Sequence, residues 1–140
     1  MIDLTAYQGS LLWLGILLSL IMLQWLIATV AKARLPGAVP GLPPSDHAHS
    51  SFAFRAWRTH QNSMENSGTM IGGALFAMLA GANGTWVESL LAILVITRVV
   101  HMVLYYAIAT ERNPSPRSYF FALSWLANVA LILAGFLALG

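Results

Sequence analysis

The sequence predicts an all-α fold, a four-helix bundle integral to a membrane, on three observations. Of its 140 residues, 58% are hydrophobic and 9% charged, against roughly 25% charged in a soluble domain. Mean hydropathy is +0.71. The apolar residues also gather into long runs, each near the roughly 20 residues that hydrocarbon requires, and the runs are parted by segments rich in Pro, Gly, Asn and Ser. One domain, 1–140, is expected, with spans of about 4–31, 52–80, 86–109 and 119–139.

Composition also excludes function classes. Seven Lys/Arg against five Asp/Glu give a net charge of +2, too weak and scattered for nucleic-acid binding. With no cysteine, there is no disulfide framework, thiolate metal site or cysteine nucleophile, so any thiol chemistry must bring its own sulfur.

The first span holds the apolar run 11–23, then Gln24, then an apolar stretch to Ala31. A signal peptide would carry positive charge before its run and a small-residue cleavage site after it. Here Asp3 precedes the run and Lys32 and Arg34 follow it, so it reads as an uncleaved span. Residues 35–51, with Pro36, Pro40, Pro43 and Pro44, form a loop outside the membrane, because proline at that density cannot continue a helix. His47 and His49 lie there with only Asp46 nearby. They fall short of the three or four ligands of a metal site and read as structural or solvent-exposed; no metal is expected.

The second span opens on FAFRAWRTHQNSMEN, residues 52–66. In a helix, Arg55, Arg58, Asn62 and Glu65 share one face within an arc of roughly 80°, and His60 points nearly the opposite way. Such a stripe at a bilayer edge is unfavourable unless its members meet each other, a neighbouring helix or a polar ligand. Gly68, Gly72 and Gly73 follow and let a second helix approach closely. The turn GANGT, 81–85, leads to the third span, where Arg98, His101 and Tyr105 lie within about 60° of one another. Arg98 sits too deep to snorkel to an interface and reads as packed and paired, with Glu65 as candidate partner. A polar turn, TERNPSPRS at 110–118, precedes the fourth span, which is apolar apart from Ser124 and Asn128. Asn128 reads as a helix-to-helix contact.

Four spans put both termini on one side. The other side's loops and flanks hold Lys32, Arg34, Arg55, Arg58, Arg112 and Arg117, all but one of the seven positive charges, so loops one and three are expected in the cytoplasm. A bacterial inner membrane is the expected location, from the short loops and lack of targeting extensions. Cofactor and hydrolase motifs (GxGxxG, P-loop, HExxH, nucleophile elbow) are absent. An inert bundle would have to hold Arg55, Arg58, Glu65, Arg98 and Arg117 near one depth for packing alone. A proton-coupled transporter using Glu65 and His101 lacks the expected internal repeat and broken spans.

Arginines with one carboxylate and amides suit a small zwitterion rich in carboxylates, since guanidinium forks match carboxylates and a glutamate can hold an ammonium. An arginine beside a bound thiol favours the thiolate, and apolar walls admit a lipophilic second substrate. That combination describes conjugation of a peptide thiol to a hydrophobic electrophile.

Arg55-x-x-Arg58-x-His60-Gln61-Asn62-x-x-Glu65 resembles the signature of the membrane-associated proteins in eicosanoid and glutathione metabolism, the MAPEG family, which includes microsomal glutathione transferases, leukotriene C4 synthase and microsomal prostaglandin E synthase. The similarity extends to Arg98, His101 and Tyr105 and to Arg117-Ser118, and covers nearly the whole chain. It implies a homotrimer of four-helix protomers that binds glutathione, as co-substrate, between neighbouring protomers near the cytoplasmic face. It implies glutathione contacts for Arg58, Asn62, Glu65, His101 and Tyr105, with Arg55 ordering the site and Arg98 in the same polar stripe. Arg117 would activate the thiolate, with Ser118 beside it; Arg112 is the runner-up, because the link from Tyr105 to Arg117 is longer than in some members. Arg34 or Lys32 would supply a further carboxylate contact. Gln61 and Met102 depart from prostaglandin synthase-like members, and Phe121 stands where some members have a tyrosine. The implied activity is a microsomal-type glutathione transferase, with peroxidase activity toward lipid hydroperoxides as an extension and a hydrophobic small molecule or lipid as second substrate. The alternative is a non-catalytic lipid-binding or scaffold member.

Overall fold

The computed structural model describes residues 4–140; Asp3, used above to argue against a signal peptide, lies outside them. A 3-10 turn, Leu4–Tyr7, leads into α1 (Gln8–Ala33), followed by α2 (Phe52–Leu79), α3 (Gly84–Ala107) and α4 (Pro116–Leu139). No strand occurs among the described residues.

α2, α3 and α4 each begin where a polar side chain accepts from a backbone N–H that has no partner inside the helix, whereas Tyr7, at the start of α1, makes no such side-chain bond. The Ser51 hydroxyl accepts from the Phe54 N–H at 3.3 Å to start α2. Asn83 Oδ1 accepts from the Trp86 N–H at 3.2 Å, which lets α3 begin at Gly84, inside the expected turn. Pro116, pre-set for the first helical position, begins α4 ahead of the expected residue 119, and the Ser118 hydroxyl accepts from the Ser115 N–H at 3.2 Å. Arg117 and Ser118 therefore belong to the first turn of α4, not to the loop before it.

α3 and α4 make the most extensive contact, then α1 with α2 and α2 with α4. The apolar core lies toward the α2–α3 turn and includes Leu17, Met70, Ala74, Val87, Leu91 and Leu131. There the Tyr7 hydroxyl donates to the Ala82 carbonyl at 2.6 Å, which ties the start of α1 to that turn. Gly84 permits a close backbone approach, because a Cβ on it would collide with the Ala6 carbonyl oxygen.

Three helical segments are long and apolar enough to cross a membrane: Leu4–Ala33, Gly84–Ala107 and Pro116–Leu139. Only 28% of the most apolar stretch is buried in the first and last of these, so most of their apolar surface faces outward, as a lipid solvent requires. α2 is not among the three, because Arg55, Arg58, Glu65 and several amides interrupt it.

Candidate functional site

Buried polar side chains gather in the half of the bundle nearest the two long loops: Gln24, Thr59, Ser63, Arg98, His101 and Ser124. The helix periodicity of α2 explains part of this. Its buried positions Arg55, Thr59 and Ser63 recur every four residues, so one helix face that packs inward carries polar groups down two turns.

A cleft of about 350 Å³ opens at this end between α2, α3, the start of α4 and the end of the first loop. Arg58 and Asn62 line it from α2, His101 and Tyr105 from α3, and Arg117 and Ser118 from α4. Phe54 and Phe121 supply apolar wall, and His49 closes the loop side. The lining holds two arginines and no carboxylate; Glu65 pairs with Arg58 from outside it, so Arg117 is the cation whose field favours an anion there.

Arg117 stacks on Tyr105, its guanidinium carbon 3.5 Å from the ring centroid, within the range of a cation–π contact. Ser118 is occupied locally, its hydroxyl 3.0 Å from that of Ser115. The buried atoms His101 Nδ1 and Asn62 Oδ1 have no hydrogen-bond partner among the described residues. Buried polar atoms are normally paired, so these two mark places where a ligand or water would be held.

The other residues singled out above occupy different positions. Arg58 donates to Glu65 at 2.8 and 3.3 Å, and Glu65 itself, exposed, does not line the cleft. Arg98, expected beside Glu65, instead donates to the Ser63 hydroxyl at 2.7 Å and lies 5.9 Å from the Phe121 ring centroid. The reason is geometric: Ser63 is on the inward face of α2, and Glu65, two residues on, is turned away. Arg98 is 1% exposed, and beneath the cleft it shares a crevice of about 10 Å³ with Asn66, Phe121, Ser124 and Asn128.

Arg55 is also buried, and its guanidinium donates to the carbonyls of His49, Ser50 and Tyr106 at 2.6, 2.9 and 3.2 Å. It thereby fastens the first loop and the end of α3 to α2. Arg112 is exposed in the third loop and outside the cleft lining. Arg34 lines a separate apolar groove between α1 and α2, and Lys32 donates to the Val39 and Leu42 carbonyls at 3.0 and 2.8 Å.

His49 is the site residue that sequence reasoning set aside. Its spacing from His47 carries no signal for this role. The nearest usable clue was its position a few residues ahead of the polar stripe, which brings the loop end over the start of α2.

The MAPEG family model matches residues 10–137. No curated protein and no solved structure matches the chain.

Proposed function

The chain belongs to the MAPEG family, and on that premise we propose that it is a glutathione-dependent membrane transferase that joins a thiol peptide to lipophilic electrophiles. The carrying observation is the cleft lined by Arg58 and Arg117 with no carboxylate, roofed by the Arg117–Tyr105 stack and walled by Phe54 and Phe121. Guanidinium groups in a partly dry site hold a thiolate and carboxylates at once, and phenylalanine walls accept an apolar partner arriving from the bilayer.

In this reading Arg117 faces the sulfur and stabilises it as thiolate, with Ser118 beside it. Arg58, Asn62, His101 and Tyr105 contact the peptide, and Arg98 supplies positive charge beneath it. Glu65, paired with Arg58, takes the ammonium group at the rim. Arg55 acts through the loop it fastens. The thiolate electron pair forms a carbon–sulfur bond to the electrophile as the leaving group departs with its own pair. Lipid hydroperoxides are a second substrate class, reduced at the expense of two thiols.

The same reading makes the working form a homotrimer in which α2 is sheltered. Glu65, Gly68, Thr69 and Gly72 form an exposed face of α2, and nothing lies within 4 Å of a Cβ built on Gly68 or Gly72. Polar groups and bare backbone are poor company for lipid, so copies of the chain cover one another there, and Arg34 reaches a neighbour's cleft. The positive flanks support a cytoplasmic side for the first and third loops.

One observation favours a second reading, a non-catalytic lipid-binding or scaffold protein: Arg58 and Glu65 already satisfy each other at 2.8 Å, as a purely structural pair would. Conjugation of chlorodinitrobenzene by purified protein separates the two. The transferase reading predicts turnover that saturates with glutathione, and the scaffold reading predicts the uncatalysed rate at every glutathione concentration.

A further inference from the structure

His49 is held on several sides. Its Nδ1 is 2.9 Å from the Tyr105 hydroxyl, its Nε2 is 3.8 Å from Glu111 Oε2, and its backbone N–H donates to Glu111 Oε1 at 3.3 Å. Phe54 meets the imidazole edge-on with ring centroids 5.4 Å apart, and Arg55 fixes the His49 carbonyl. The His49 side chain is 23% exposed and that of Glu111 75%, so the row from Tyr105 to His49 to Glu111 leads from the cleft to the surface.

The charged and titratable groups facing this histidine are Tyr105 from α3, Glu111 from the third loop and Arg55 from α2, with Arg117 of α4 stacked on Tyr105. A carboxylate near Nε2 favours the tautomer protonated there, which leaves Nδ1 to accept the phenol proton. That arrangement frees a lone pair on the Tyr105 oxygen toward the cleft.

Resting on the thiol reading above, we propose that Tyr105, His49 and Glu111 form a relay that carries the proton of the bound thiol out of the cleft, with His49 as its positioning and proton-accepting residue. The S–H bond breaks and its proton passes to the Tyr105 oxygen, while the phenol's own proton passes to His49 Nδ1. The electron pair stays on sulfur, beside Arg117. His49 becomes an imidazolium opposite the Glu111 carboxylate and then gives one proton to water at the surface. One thiol becomes one thiolate and one solvent proton, with no oxidant or reductant involved.

The test mixes glutathione with the detergent-purified full chain and follows two signals, thiolate ultraviolet absorbance and proton release to a pH indicator. His49→Phe keeps a ring against Phe54 but offers no nitrogen. It should slow both signals by about tenfold or more, as loss of a proton-transfer partner does, while S-hexyl glutathione, which has no thiol, still binds within about twofold of wild type. Added imidazole should restore the rate in His49→Ala, a rescue that a misfolded protein could not give. Glu111→Gln keeps an oxygen to accept from the His49 N–H and should slow thiolate formation by a smaller factor. Wild-type rates in His49→Phe, or no rescue of His49→Ala, overturn the relay and leave the thiol reading standing. A wild-type protein that forms no thiolate overturns both.

Discussion

Where α2 meets α3, the interior is Met70, Ala74, Ala77, Val87, Leu91 and Leu131; at the loop end of the same helices it is Thr59, Ser63, Arg98, His101 and Ser124. The first set needs only to be packed, and its neighbours fill the space. The second contains a guanidinium that is 1% exposed and, among the described residues, makes one hydrogen bond, to Ser63. Burying such groups is unfavourable unless they are paired. One end of the bundle therefore supplies stability, and the other gives up part of it to bury polar groups.

The sharpest way to break this division is Arg117→Ala. On the transferase reading, removal of the Arg117 charge should lower turnover by about 10²–10³ with little change in S-hexyl glutathione affinity, because an interaction with the thiolate would be strongest in the transition state. Steady-state kinetics beside a binding titration reads both. Equal loss of affinity with turnover intact would move Arg117 into simple binding.

Leu91→Ala probes the opposite end. Leu91 is fully buried, so the substitution should cost about 2–5 kcal/mol by transfer and cavity effects and leave the glutathione dissociation constant unchanged. Denaturant unfolding and a binding titration on the same sample provide the comparison. A Leu91→Ala protein that is as stable as wild type but binds glutathione poorly would abolish the distinction between the ends.

Gly135→Ala should have a smaller effect at that end. A Cβ on Gly135 would lie 2.5 Å from the Phe76 Cε1 atom and 3.3 Å from the Ala77 Cα, so α4 must shift from α2 or Phe76 must turn, at about 1–3 kcal/mol. Unfolding midpoints of the two proteins measure it.

Smallest is Glu65→Gln at the loop end. The Arg58–Glu65 side chains are 37% and 54% exposed, and pairs that open to their surroundings contribute about 1 kcal/mol or less. On the transferase reading, the proposed trimer should stay intact by light scattering, and glutathione binding should weaken severalfold. Disassembly of the oligomer with unaltered binding would favour the scaffold reading.

The all-helical fold was legible because its cause is periodic and repeated: apolar runs of membrane length separated by Pro, Gly, Asn and Ser. Helix starts were less legible, since a cap is a single contact such as that between Ser115 and Ser118, and Pro116 looks like a breaker until its place at the first helical turn is known. Angular arithmetic placed Arg58 and Asn62 on one helix face, and both line the cleft. It could not foresee that Arg98 would choose Ser63 over Glu65, because the partner of a side chain depends on the rotation of two helices about their axes. His49 was illegible for the same reason: a loop residue reaches a site through the path of the loop, here fixed by Arg55, and no periodicity encodes that path.

On the proposed reading, the cleft lined by Arg58 and Arg117 binds a thiol peptide. Thermal unfolding of the detergent-purified chain with and without millimolar glutathione, and with its S-hexyl conjugate, tests it most directly, because a ligand that binds only the folded state raises stability. Both ligands should shift the midpoint upward, and Arg58→Ala should abolish the shift. No shift with either ligand, or a shift that Arg58→Ala leaves intact, would contradict that reading.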